Sequence, residues 1–191
     1  MEEVRNRKCI SEWLAYRNII EKHRVRTVRT DVQQILDILS QLRVIKRVRI
    51  LGATYYCIPD VDGRYIPDEL RLVLETVLEL AKTARGNAVG ITVRSVLSRI
   101  REKTSEEPSS QLVANTLRSL LHYAGLDVVD GRHFELARKR RRRGTVYIYH
   151  RQQLLETICR LLDHGVNHEE QKTRNMKDEL AKIIKKILRQ N

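Results

Sequence analysis

Apolar residues recur at helical spacing along most of the chain and alternate at strand spacing in a few short stretches. Residues 3–22 read as a helix with Trp13, Leu14, Ile19 and Ile20 at the apolar positions and Ser11 able to cap. The short, basic and β-branched run His23–Arg29 breaks that pattern and suits a turn or a brief strand. Thr30-Asp31-Val32-Gln33 has the form of a capping box, a hydroxyl followed three residues on by Gln. The helix it predicts places Val32, Ile35, Leu36, Leu39 and Leu42 on one face, with Gln33, Gln34, Asp37 and Gln41 pointing elsewhere.

Val44–Ile50 then reads as a strand with Lys46, Arg47 and Arg49 interleaved. Leu51-Gly52-Ala53 turns the chain, and Thr54–Ile58 returns. Pro67-Asp68-Glu69 opens a new helix, proline near its first turn and acids at the positive end of its dipole. Leu70, Leu72, Val73, Leu74, Val77, Leu78, Leu80 and Ala81 leave this helix apolar around much of its circumference, so it is expected to be the most buried. Gly90-Ile91-Thr92 leads into a helix carrying Val93, Val96, Leu97 and Ile100. Another runs from about Ser110 to Tyr123 with Val113, Leu117, Leu120 and Leu121 inward, ended by Gly125. His133–Ala137 and Thr145–Tyr149 flank Arg138–Gly144 as the two arms of a hairpin, and Arg151–Asp163 is helical up to Gly165. Beyond it, Met176, Leu180, Ile183, Ile184 and Ile187 form a stripe on a last amphipathic helix.

The fold class is therefore mainly α with small β-hairpins (α+β). One order of elements runs twice: helix, short strand, a helix with a Leu-x-x-Leu pattern, and a basic hairpin. The expected division is a first unit over 1–63, a second over 64–165 and a C-terminal helix over 166–191.

Charge adds a partner class to this picture. The chain carries 37 Lys and Arg against 24 acids, net +13. Seven of those cations and one acid fall within residues 132–150, so that stretch alone holds +6 of the excess. Six consecutive cations, Arg138, Lys139, Arg140, Arg141, Arg142 and Arg143, lie at its tip. Like charges so crowded repel one another and call for an anionic partner, most simply a nucleic-acid backbone. Cys9, Cys57 and Cys159 are odd in number, far apart and without a CxxC pair, so free thiols in a reducing, cytoplasmic setting are expected. No apolar run approaches the roughly 18 residues of a membrane span.

The Leu36-x-x-Leu39-x-x-Leu42-Arg43-Val44-Ile45 run and the Leu117-x-x-Leu120-Leu121-x-x-x-Gly125-Leu126 run, each leading to a basic hairpin, resemble the winged helix-turn-helix family in a tandem pair. The likeness covers roughly residues 10–150, with the second unit the fuller match. It implies a helix of each unit in the major groove of DNA and a wing along the backbone. The residue types agree: Gln111, Asn115 and Arg118 on one helix and Gln33 and Gln34 on the other can pair with adenine or guanine edges. Lys46, Arg47 and Arg49 of the first wing and Arg138–Arg143 of the second would hold phosphates.

The expectation is thus a DNA-binding protein, duplex favoured over RNA, acting as a transcriptional regulator or a chromosome- or replication-associated factor. The alternatives are a winged-helix protein-interaction module within a larger transcription or segregation complex, or RNA binding. The C-terminal stripe is read as a homodimerisation helix in preference to one that packs in cis, and it lacks the aromatic anchors of a membrane-surface helix. No catalytic motif appears, so no enzyme activity and no cofactor are expected. His164, His168, Cys159 and Asp163 cluster in sequence, but Gly165 breaks the helix that would align them, so no metal site is expected. Trp13 is read as core, and Tyr147 and Tyr149 as one side of a strand and not as base-stacking groups.

Overall fold

The structure, a computed structural model of the chain, describes residues 8–61, 64–105, 107–126 and 145–165. The described residues form an α+β fold of six helices and two small antiparallel sheets. The stretch expected as the first unit comprises β1 (Cys9–Ser11), α1 (Glu12–His23), α2 (Arg29–Gln41), β2 (Lys46–Ile50) and β3 (Ala53–Cys57), its sheet ordered β1-β3-β2. The second comprises α3 (Asp68–Thr83), β4 (Ala88–Thr92), α4 (Val93–Arg101), α5 (Ser110–Ala124), β5 (Val146–His150) and α6 (Arg151–His164), with β4 pairing β5.

Ser11 caps α1 as expected, its hydroxyl accepting from the Leu14 amide at 3.1 Å. The helix starts only there, however, because Cys9–Ser11 extends along β3 in antiparallel register, Cys9 opposite Cys57 and Ile10 opposite Tyr56. The predicted capping box of α2 does not form. The helix begins two residues earlier than that box would set it, at Arg29, with extended Val28 before it and no side-chain cap. Contacts from outside the helix set its start: the Arg29 guanidinium pairs with Glu12 and lies 5.9 Å over the Trp13 ring.

The central strand β3 is buried on both faces, and its two-residue period sorts its side chains between two cores. Tyr56 joins Ile10, Leu14, Ala15, Val32, Leu36 and Ile45 beneath α1 and α2. Ala53, Tyr55 and Cys57 turn the other way, into a cluster that continues through Leu70, Val73, Leu74 and Val77 of α3 to Leu117, Tyr149 and Ile158. One core therefore runs unbroken from the first unit into the second. Glu69, at the first turn of α3, accepts from the Ser11 amide at 3.3 Å across the same junction. As its pattern predicts, α3 is the central helix, with Leu70, Val73, Leu74, Val77 and Ala81 all fully buried.

The same register corrects the free-thiol expectation. Cys9 and Cys57 are directly opposite, point to one face with Cα atoms 4.0 Å apart, and are joined as a disulfide. Forty-eight residues separate them in sequence, a distance that spacing motifs cannot see. Cys159 is free and exposed.

Local chemistry finishes the second unit. Thr92 and Ser95 form a reciprocal capping box at the start of α4. Ser109 caps α5, accepting from the Leu112 amide at 3.1 Å. The Tyr149 hydroxyl donates to the Leu117 carbonyl at 2.7 Å, fastening β5 to α5. Gly165 ends α6 at φ +74°, where a Cβ would lie 1.9 Å from the Arg64 carbonyl oxygen.

Candidate interaction surfaces

Helix α5 buries Leu112, Val113, Thr116, Leu117, Leu120 and Ala124 and turns Gln111, Asn115, Arg118 and His122 away from the core. Gln111 and Arg118 are exposed, whereas Asn115 is half-buried. The Gln111 amide donates to the Asn115 side-chain oxygen at 2.9 Å, and the Asn115 amide donates to the Gly52 carbonyl at 3.1 Å. Ser119 also faces that turn, its Oγ 3.0 Å from where a Cβ on Gly52 would stand. The β2–β3 turn of the first unit thus sits on the middle of the outward face of α5. Gln111 and Asn115, four apart on the helix, bond to each other, and the turn gives the Asn115 amide its acceptor.

Lys46, Arg47 and Arg49 are all exposed along β2, an edge strand of its sheet. Arg47 reaches back to Asp37 of α2 at 3.3 Å, and the same carboxylate accepts from the Tyr56 hydroxyl at 2.8 Å. Burial and that bond to Asp37 hold the Tyr56 phenol well above its ordinary pKa. Gln34 is exposed and Gln33 half-buried on α2. Arg138, Lys139, Arg140, Arg141, Arg142 and Arg143 lie outside the described residues, as do Met176, Leu180, Ile183, Ile184 and Ile187.

The face of α2 departs most from expectation. Val32 and Leu36 are buried as predicted, but Ile35 and Leu42, assigned to the same face, are 56% and 67% exposed. Ile38 joins them at 54%. At 100° per residue, Ile35, Ile38 and Leu42 form a second stripe turned about 90° from the buried one. Its signal was present in the sequence: six aliphatic residues from Val32 to Leu42 exceed what one stripe holds. Every large hydrophobic residue exposed among those described (Ile20, Val25, Val28, Ile35, Ile38, Leu42 and Val44) falls between residues 20 and 44, in or beside α2.

Cations bracket the stripe. Arg24 and Arg26 precede it, and Arg43 and Lys46 follow it, all exposed. Arg24 and Arg43 hold left-handed backbone at φ 53° and 58°, where the chain leaves α1 and α2. A groove of about 510 Å³ lies at the N-terminal end, between Ile20, Val25, Val28 and Asp31.

A wider cleft of about 730 Å³ separates α1 from the loop joining α4 to α5. Trp13 and Tyr16 line it opposite Leu97 and Pro108. Trp13, expected in the core, is half-buried here because Arg29 covers its ring and the cleft leaves its edge open. The Arg101–Glu107 pair flanks the cleft, and the guanidinium holds the Glu107 carboxyl below the usual carboxylate range. Tyr147 and Tyr149 are buried. Among the described residues no group of three or more His, Cys, Asp or Glu comes together, and no helix is long and apolar enough to cross a membrane.

No family model matches the chain, and no curated protein matches it. Among solved structures it is similar to a chain described as "Nse1-Nse3-Nse4 complex", with 18% sequence identity over 78% of this chain and a TM-score of 0.28. The chain spans 66% of that chain's length, just under two-thirds. The two backbones superpose too loosely for the likeness to bear on fold or function.

Proposed function

We propose that the chain is a non-catalytic protein-interaction module, built as a tandem pair of winged-helix units and working inside a larger assembly. The second unit supports the architecture through its order of helix, strand, two helices and returning strand. The first unit repeats that order without its opening helix, and its sheet shares a core with α3 and α5 of the second.

The observation that carries the proposed function is the outward face of α2. In a DNA-reading winged helix the corresponding face is polar and cationic, since it meets base edges and phosphates. Here it presents Ile35, Ile38 and Leu42, each more than half exposed, with Val28 in line at the helix start. Large exposed apolar side chains gathered on one face, unlike ones scattered singly, mark an interaction site. The corresponding helix of the second unit, α5, is itself partly covered by the Gly52 turn.

Duplex DNA binding is the second reading. Lys46 and Arg49 support it, being exposed and without an ion-pair partner among the described residues, together with the Arg138–Arg143 run in the sequence. Lysine and arginine on an edge strand also serve simply to discourage sheet-to-sheet pairing, which makes this support the weaker of the two.

Site-specific crosslinking from Leu42, compared with crosslinking from Glu75 on α3, tests the proposal. The expected result is one defined protein partner captured from Leu42 and lost with Ile38→Ser. Steep, salt-dependent binding to duplex DNA that disappears when Arg140–Arg143 become Ala, with no partner on α2, overturns it in favour of the second reading.

A further inference from the structure

We infer that the α2 stripe is the seat of an amphipathic helix from another protein, one that carries Asp or Glu near both ends of its apolar seam. This rests on the reading of α2 as a protein-docking face and adds the chemistry of what docks.

The spacing fits a helix. Val28, Ile35, Ile38 and Leu42, with Asp31 between the first two, stand at alternating steps of three and four residues. That is the seam on which a second helix packs side by side, and from Val28 to Leu42 it runs about 21 Å at 1.5 Å per residue. Asp31 interrupts the seam with an exposed carboxylate that accepts from Thr27. A hydrogen-bond donor opposite it would fix the register of the incoming helix, as single polar residues do in coiled coils.

Charge selects among occupants. Between residues 23 and 49 lie seven Lys and Arg against two Asp. Arg29 and Arg47 are already committed to Glu12 and Asp37. Arg24 and Arg26 at one end, and Arg43 and Lys46 at the other, have no ion-pair partner among the described residues. A second copy seated on this face would bring two such sets of cations together. The chain's own segment from residue 166 onward has an apolar stripe too, but seven cations against four acids, and it is repelled for the same reason. An acidic-ended helix answers both the seam and its ends.

The test titrates the full-length chain with three synthetic helical peptides of about three heptads. One has a leucine seam with glutamates at both ends, one the same seam with lysines there, and one the glutamate ends with alanine along the seam. The glutamate–leucine peptide is expected to bind at least about tenfold tighter than the lysine form at low salt, with the gap closing as salt rises. The alanine peptide should not bind. Ile38→Ser and Leu42→Ser should each weaken binding, whereas Asp31→Val should strengthen it for an all-leucine seam. Equal affinity for the two leucine peptides removes the acidic requirement but leaves α2 as a docking face. Failure of both, together with unchanged crosslinking from Leu42 in Ile38→Ser, removes the docking face as well. A concentration-dependent dimer that Ile38→Ser converts to monomer makes the occupant a second copy and overturns the inference.

Discussion

The side-chain amide of Asn115 donates to the backbone carbonyl of Gly52 at 3.1 Å, so a residue that the sequence suggests as a base reader holds the turn of a neighbouring hairpin. That bond ties the outward face of α5 to the first unit and fixes where the β2–β3 turn ends. Asn115→Ala should lower the unfolding free energy by about 1 kcal/mol, the usual cost of a carbonyl left without its donor at a part-buried site. Gly52→Ala should cost more. Its φ of +75° alone is worth about 1–2 kcal/mol to an L-residue, and the new methyl would press on Ser119. Denaturant titration of both single variants and the double reads this out. Strict additivity would show that the two sites are not coupled.

The Cys9–Cys57 bond closes a loop of nearly fifty residues around the whole of α1, α2 and β2. Thiol titration of the unreduced native chain should find one reactive cysteine, Cys159, and three after reduction and unfolding. Cys9→Ser/Cys57→Ser should lower stability by about 2–4 kcal/mol, the ordinary range for a bridge of this span. Three reactive thiols in the native chain would mean that the pair is reduced.

Alkali should unfold the protein through its tyrosines. Tyr55 and Tyr149 are held above their ordinary pKa by burial first, and Tyr56 by burial and then by its bond to Asp37. Each folded-state value lies above the unfolded one near 10, so the contribution is fully present below pH 10 and is lost as pH rises beyond it. Stability should be flat through neutral pH and fall above about pH 10. In a tyrosinate difference spectrum these three should ionise only with the unfolding transition. Normal titration of all seven tyrosines in a folded chain would contradict their burial.

The two stripes of α2 should separate cleanly in a mutational series. Leu36, 7% exposed and packed with Tyr56 and Ile45, should cost about 2–4 kcal/mol as Ala. Ile35→Ser, Ile38→Ser and Leu42→Ser should each leave stability within about 0.5 kcal/mol and make the protein less prone to associate. A large loss from any of these three would mean that the stripe is covered within the chain.

Much of the framework is legible in the sequence because it is local. The β2–β3 hairpin follows from alternation around Leu51-Gly52-Ala53, and the Ser11 cap and the Gly165 stop are where side-chain chemistry puts them. What escapes is set by residues far apart. Ala53, Tyr55 and Cys57 face a second core only because α3 and α5, which follow them in the chain, bring their apolar faces to it. The partner of Cys9 is chosen by strand register, not by spacing. Asn115 is polar and outward on any helical wheel, and only the approach of Gly52 gives it a task. Ile35 and Leu42 share a helical period with Leu36, so spacing alone assigns all three inward; α1 and β3 together are wide enough to cover only part of that arc.

Because α3 and α5 together complete the core of the first unit, order of synthesis matters. Residues 9–57 leave the ribosome before the helices that share their core, and until Asp68–Ala124 follows, Tyr55, Leu51 and Ile50 lack the residues they are clustered with. The first unit is thus born unfinished and closes from behind. A transcript cut between the two units would encode a fragment with one face of its sheet bare, a substrate for chaperones and proteases and not a working half.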